Sequence, residues 1–142
     1  MSGLPRDVYE HVRDLALVIV NAMQAGDDEL CEAQMFALRN YYNEQTALGF
    51  SHPFLTEAVA DYTENAAEAI ALYELALEQA RACPGEPVHT KMIALAARQI
   101  ELARFEQAEA FLRDGRTEAV CSGDLDSTSE AAELARLLDD QN

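Results

Sequence analysis

The fold is organised around residues 53–82, PFLTEAVADYTENAAEAIALYELALEQARA. On a helical wheel their apolar side chains keep one direction from end to end, at steps of three and four residues. Because this direction does not drift, the pattern predicts one unbroken amphipathic helix of about 45 Å, at about 1.5 Å per residue. Four acids lie on the opposite side and are expected to point into solvent: Glu57, Asp61, Glu64 and Glu68.

The composition predicts an all-α protein. Apolar residues make up 49% of the 142-residue chain, which is enough to build a buried core. Most of them are Ala and Leu, Trp is absent, and no stretch sustains the alternation typical of a strand. We therefore expect a single domain over residues 1–142, an antiparallel helical bundle in which the long helix is the central element.

Glycines and prolines mark the expected ends of the helices, because proline suits a first helical turn and glycine suits the position after the last one. These signals predict helices over residues 5–25, 28–48 and 53–82, a helical segment from residue 88, and a last helix after the capping box Ser127-x-x-Glu130. The first helix has an apolar centre on all sides, which indicates burial on several sides or one face of a homodimer.

The second half of the chain is less regular. The apolar direction changes after Arg104, which leaves open whether residues 88–114 form one kinked helix or two helices. Gly115 is expected to end this segment, and residues 116–126 to form a loop. The terminal residues 139–142 are expected to fray.

Residues 92–112 carry small and large side chains in an order that resembles the helix-turn-helix of a tetratricopeptide repeat. The matching positions are Leu95, Ala96, Ala103, Phe105, Ala108 and Leu112. The match departs from that repeat at Gln99, where an aromatic residue is expected, and the closing proline is absent. The resemblance implies a repeat-like hairpin that binds a protein or peptide and performs no catalysis.

The net charge of −16 is concentrated in the first half of the chain. Residues 1–80 hold 14 acids and 3 bases, residues 81–120 hold 6 of each, and residues 121–142 hold 6 acids and 1 base. Such a chain repels nucleic-acid phosphates and anionic lipid, and it attracts a basic protein at low salt. We therefore expect a basic protein partner, with no direct binding of nucleic acid or membrane.

The sequence offers little for catalysis or metal binding. Of the three histidines, only His89 has the Glu-x-x-His spacing of di-metal bundles, from Glu86, and Pro87 places it at a helix start. Cys83 and His89 could form a nucleophilic dyad, although a structural cysteine at a helix end is the simpler interpretation. No phosphate-binding or nucleophile-elbow motif occurs. The sequence predicts no enzyme activity, cofactor or metal.

The predicted partner-binding residues are Glu57, Asp61, Glu64, Glu68, Tyr41 and Tyr42. The acids are like-charge neighbours on a helix, each pair costing about 0.2–0.5 kcal/mol, and no base lies three or four positions away. Either a basic partner relieves this repulsion, or the face is simply solvated or is met by arginines from the neutral residues 81–120: Arg98, Arg104 or Arg113. The two tyrosines suit core packing or an interface.

In size and charge the chain is similar to small bacterial toxin immunity proteins, and this resemblance implies inhibition of a basic toxin. We expect a non-enzymatic protein that sequesters a basic partner, as an immunity protein or antitoxin. Three widely spaced cysteines and no secretory signal predict the cytoplasm. The alternatives are a secretion chaperone or peptide-binding adaptor, a nucleic-acid mimic, and a helical enzyme or sensor with an internal pocket.

Overall fold

A computed structural model of the chain describes residues 3–141 and contains seven α-helices and no strand in that range. The helices are α1 (Arg6–Ala25), α2 (Asp28–Ala47), α3 (Pro53–Asp61), α4 (Ala66–Arg81), α5 (His89–Glu101), α6 (Phe105–Ser122) and α7 (Leu125–Asp139). The prediction of an all-α, single-domain helical bundle is confirmed. Within residues 3–141 no helix combines the length and apolar character needed to cross a membrane.

Side chains that accept hydrogen bonds start four of the helices. Asp27 caps α2, His52 caps α3, Asn65 caps α4 and Asp124 caps α7, each bonding a backbone N–H of the first turn. The last helix therefore begins before the predicted capping box at Ser127, because Asp124 already satisfies the amide of that residue at 3.1 Å.

The prediction of one helix over residues 53–82 is wrong, because residues 62–65 separate α3 from α4. Two polar residues stabilise the break: the Thr63 hydroxyl donates to the carbonyl of Val59 at 2.7 Å, and the Asn65 side chain accepts from the amide of Glu68 at 3.0 Å. The interruption of four residues is close to one helical turn, so it leaves the apolar direction on a wheel almost unchanged.

Residues 88–114 belong to two helices, α5 and α6, which pack against each other. Between them Ala103 takes the left-handed conformation with φ 57°. The predicted helix end at Gly115 and loop over residues 116–126 are wrong, since α6 continues to Ser122. A Cβ atom at Gly115 would lie 3.0 Å from Met92 Cβ and Ile93 Cγ1, so this glycine permits the close approach of α5 and does not stop the helix.

Buried apolar side chains form three adjoining clusters along the chain. The first joins α1, α2 and α3, the second joins α3, α4 and α5, and the third joins α5, α6 and α7. Helix α1 contributes only one side to the first cluster, because Leu17, Val18 and Val20 are exposed. The expected burial of α1 on several sides is therefore not seen within this chain. Helix α7 ends at Asp139 and Asn142 lies outside the described residues, so fraying of residues 139–142 stays a prediction.

Candidate functional site

The predicted acidic face is divided, because Glu57 is turned toward the protein. Its Oε1 lies 2.8 Å from Nζ of Lys91, whose side chain on α5 is only 1% exposed. The expectation that Glu57 points into solvent is wrong. The reason is a contact between residues 34 positions apart, which no local helical pattern can show.

Asp61 is the next acid on α3 and is held by Tyr73 of α4. The Tyr73 hydroxyl donates to Oδ1 of Asp61 at 2.5 Å, and Tyr73 is almost fully buried. Part of the Asp61 residue is exposed, but the protein around its carboxyl removes water from it. This burial raises the pKa of Asp61 from 3.8 to about 6, against the opposing hydrogen bond from Tyr73, and the charge of Glu57 raises it further. Burial also raises the pKa of Tyr73, followed by the charge of Asp61.

A polar cleft of about 440 Å³ lies above this pair, between α3, α4, α5 and α7. Its carboxylates are Glu57, Asp61, Glu101 and Glu130, and small side chains of α5 form part of its wall. Burial, followed by the charges of Glu133 and Asp124, raises the pKa of Glu130. Arg98 also lines the cleft, but its guanidinium already donates to the carbonyl of Thr63 at 2.6 Å and lies 3.3 Å from Glu101. The cleft therefore suits a small cation or a cationic side chain.

Glu64 and Glu68 are exposed, as predicted, and neither carboxylate forms an ion pair with any described residue. Arg98 approaches the turn between α3 and α4, but it donates to backbone carbonyls there, including that of Glu64 at 3.4 Å. Arg113 instead lies beside Asp114 at 3.5 Å. The arginines of residues 81–120 therefore do not cover these two acids.

An exposed apolar groove, which the sequence prediction missed, runs between α1 and α3. We call it the α1–α3 groove; its volume is about 380 Å³, and its lining includes Tyr9, Leu17, Val20, Phe54 and Ala58. The rings of Tyr9 and Phe54 lie 5.4 Å apart, which ties the two helices together. Leu17 is 55% exposed and Val20 is 38% exposed. The apolar character of α1 on all sides was the available signal, but in a sequence it does not distinguish burial from an open groove.

The α1–α3 groove continues into an acidic groove, a second depression of about 450 Å³ beside the α3–α4 turn. Asp61 and Tyr62 line both. The second depression adds the carboxylates of Asp28 and Glu64, together with the apolar side chains of Met23 and Met35. Asp61 also borders the polar cleft, so it lies where three depressions meet.

Tyr41 and Tyr42 are half-buried against the first core cluster. The ring of Tyr41 lies 4.1 Å from that of His11, and burial, followed by the charges of Asp7 and Glu44, raises the pKa of Tyr41. Among the described residues that line the three depressions, neither tyrosine is found. The structure therefore does not bring the predicted tyrosines together with the predicted acids.

One group of side chains has the composition of a metal site. Potential ligand atoms of His52, Cys83 and Glu86 lie within 4.8 Å of one another, and His52 Nε2 is 3.6 Å from Glu86 Oε1. However, His52 Nδ1 accepts a hydrogen bond from the amide of Phe54 at 3.1 Å. In a neutral ring this acceptor role places the proton on Nε2, the nitrogen that a metal would need. The arrangement therefore suits a helix cap better than a metal centre, and the absence of a metal stays a prediction.

The two residues of the Glu86-x-x-His89 pattern face different partners. Glu86 lies beside His52, whereas His89 Nε2 is 2.9 Å from Oδ2 of Asp124, at the start of α7. The hydroxyl of Ser127 and then His89 lower the pKa of Asp124 to about 2. His89 therefore joins α5 to α7, and Asp124 is its partner in place of the Cys83 considered from the sequence.

Comparisons of the chain with protein-family models, curated proteins and solved structures gave no significant match. The resemblances to a tetratricopeptide repeat and to immunity proteins therefore rest on the sequence alone.

Proposed function

We propose that this protein is a non-enzymatic, acidic binding protein that sequesters a more basic protein. The most concrete form is an immunity protein or antitoxin acting in the cytoplasm. One observation carries the proposal: the exposed carboxylates of Glu64 and Glu68 have no cationic partner among the described residues, in a chain of net charge −16. A basic surface would supply the missing partner.

The energetics favour an external cation at this position. Glu64 lies just before α4 and Glu68 lies in its first turn, so two like charges are placed close together along the chain and repel. A basic partner turns this repulsion into attraction, and the negative field of the whole chain accelerates the encounter. Glu57 is assigned a structural role because Lys91 already neutralises it. Asp61, Glu64 and Glu68 remain as the proposed contact residues.

Charge reversal at Glu64 and Glu68, with a matched control pair at Glu74 and Glu78 of α4, tests the proposal. Glu64→Lys with Glu68→Lys changes the net charge as much as Glu74→Lys with Glu78→Lys, and all four residues are exposed. The partner is the basic protein that co-purifies from the native host, and its affinity is measured by calorimetry at several salt concentrations. We expect the first variant to weaken binding far more than the control, and binding to weaken as salt rises. Equal losses in both variants, or binding independent of salt, would contradict the proposal.

The polar cleft supports a second candidate function, the binding of a small cationic ligand by a sensor or enzyme. Its support is the set of partly desolvated carboxylates around Asp61, in a depression of about 440 Å³. A thermal-shift comparison of spermidine with a dicarboxylic acid tests it, in the wild type and in Asp61→Asn. Stabilisation by spermidine that disappears in Asp61→Asn favours this function, and equal shifts in both proteins contradict it.

A further inference from the structure

The α1–α3 groove and the adjoining acidic groove expose apolar side chains along α1. On α1, Tyr9, Leu17, Val20 and Met23 are all exposed, and they follow one another at steps of three to eight residues. This spacing places them along one side of the helix over about 21 Å, at about 1.5 Å per residue. Phe54 and Ala58 of α3 form the opposite wall. Contiguous exposed apolar surface of this kind is typical of an interaction site.

The shape of the α1–α3 groove favours a helix as its occupant. A groove between two packed helices accepts the side-chain ridge of a third helix, as in bundles and in helix-in-groove recognition. Strand addition is not available, because the described residues contain no sheet edge.

The charge at one end of this groove determines which helix fits. Where it opens beside the α3–α4 turn, the carboxylates of Asp28, Asp61 and Glu64 line the continuous depression. The two arginines along its course are already engaged: Arg13 with Asp14 at 3.1 Å, and Arg98 with the carbonyl of Thr63. These three acids form no ion pair with any described residue. An apolar wall that ends in such acids complements an amphipathic helix whose apolar face is followed by Lys or Arg.

We propose that the α1–α3 groove binds an amphipathic, basic helix of the partner protein. Its apolar side chains lie against Leu17, Val20 and Phe54, and its cationic side chains lie beside Asp61 and Glu64. This inference rests on the proposed function, to which it adds the recognised element and the location of an apolar contact. Under it, charge provides fast association and the apolar groove provides the slow dissociation.

A synthetic probe tests the groove without knowledge of the natural partner. The probe is an amphipathic Leu/Lys peptide of about 18 residues, roughly 27 Å as a helix. A scrambled peptide of the same composition keeps the charge and removes the apolar face. The groove variant is Leu17→Ser with Val20→Ser, and the control variant is Val120→Ser with Leu137→Ser, which removes exposed apolar side chains from α6 and α7. Affinities are measured by fluorescence anisotropy, and folding is checked by circular dichroism.

We expect the groove variant to bind the amphipathic peptide about tenfold more weakly or worse, while the control variant binds like the wild type. The scrambled peptide should bind weakly and equally to all three proteins. If the groove variant does not fold, amide chemical-shift changes on adding the peptide to the wild type replace it, and they should concentrate on α1 and α3.

Three results would overturn the inference. Equal affinity of both variants for the peptide, or chemical-shift changes outside α1 and α3, refutes the groove. The proposed function then stands only if reversal of Glu64 and Glu68 still weakens binding of the host partner far more than the control pair does. If neither the groove variant nor the charge reversal matters, the proposed function fails as well. A wild-type dimer in light scattering that Leu17→Ser converts to a monomer would identify a second copy as the occupant.

Discussion

Replacing Lys91 by Met is expected to destabilise the protein strongly. Lys91 is one of the most deeply buried side chains, and its Nζ lies 2.8 Å from Glu57 Oε1. Met fills nearly the same volume, so the substitution leaves little cavity. Its main effect is to leave the Glu57 carboxylate without a counter-ion and beside Asp61, another acid of the polar cleft.

The size of the effect follows from the burial of the pair. Removal of one partner from a buried ion pair costs about 3–5 kcal/mol. Because 19% of the Glu57 side chain remains exposed, water solvates part of the orphaned charge, and we expect the lower end, about 3 kcal/mol. For a chain of 142 residues this lowers Tm by roughly 12 °C.

A compensating second substitution distinguishes an uncompensated charge from a packing defect. Glu57→Leu combined with Lys91→Met replaces the ion pair by two apolar side chains and should restore most of the lost stability. Arg113→Met is the control, because its pair with Asp114 is exposed on both sides and should change stability by less than about 0.5 kcal/mol. Urea unfolding followed by circular dichroism measures all four proteins. A loss below about 1 kcal/mol in Lys91→Met, or no recovery in the double variant, would show that an uncompensated Glu57 charge is not the cause.

Three further substitutions test other parts of the structure. The folded pKa of Asp61, about 6, lies above the ordinary 3.8, so the stability linked to its protonation is full below pH 3.8 and is lost as pH rises through 6. Asp61→Asn should therefore be more stable than the wild type near neutral pH and lose this advantage in acid, as urea midpoints measured across this pH range will show; a constant difference would contradict the shift. Gly115→Ala gains about 1 kcal/mol of helix propensity but places a Cβ 3.0 Å from Met92 and Ile93, so a lower Tm is expected. A higher Tm would mean that α5 shifts to make room for the new Cβ. Asp124 has its pKa lowered to about 2, so its contribution is present above pH 3.8 and is lost as pH falls through 2; Asp124→Ala should show a smaller loss of helical circular dichroism over this acid range, and a loss equal to that of the wild type would contradict this role.

Local signals in the sequence were sufficient for most helix ends. Gly26 ends α1 in the left-handed conformation, and Pro53 stands in the first turn of α3, as expected. The break at residues 62–65 was missed because an interruption of about one turn preserves the apolar phase. The prediction for Gly115 is wrong because, in a sequence, a glycine that permits close helix packing looks like one that ends a helix.

The candidate site was predicted only in part, since its key contacts join distant residues. Glu64 and Glu68 are exposed as expected, but the partner of Glu57 lies on α5. Charge patterning describes neighbours on one helix, so it could not indicate that Lys91 takes one acid out of the predicted face. The groove on α1 depends on which side of that helix the rest of the chain leaves open, and this is a property of the packing.

Each helix packs mainly on its neighbours in the chain, and this packing favours local opening of one part of the molecule. Helices α1 and α2 contact each other and α3, and their links to the rest of the chain are few, such as Leu72 of α4 in the core and the contact of Arg39 with Thr63 in the α3–α4 turn. Such a unit can open while α4–α7 stay folded, so its amides should exchange with solvent sooner than those of α5 and α6. The α1–α3 groove then lies on the part of the molecule that opens most readily. An occupant that bridges α1 and α3 would slow the amide hydrogen exchange of α1 and α2.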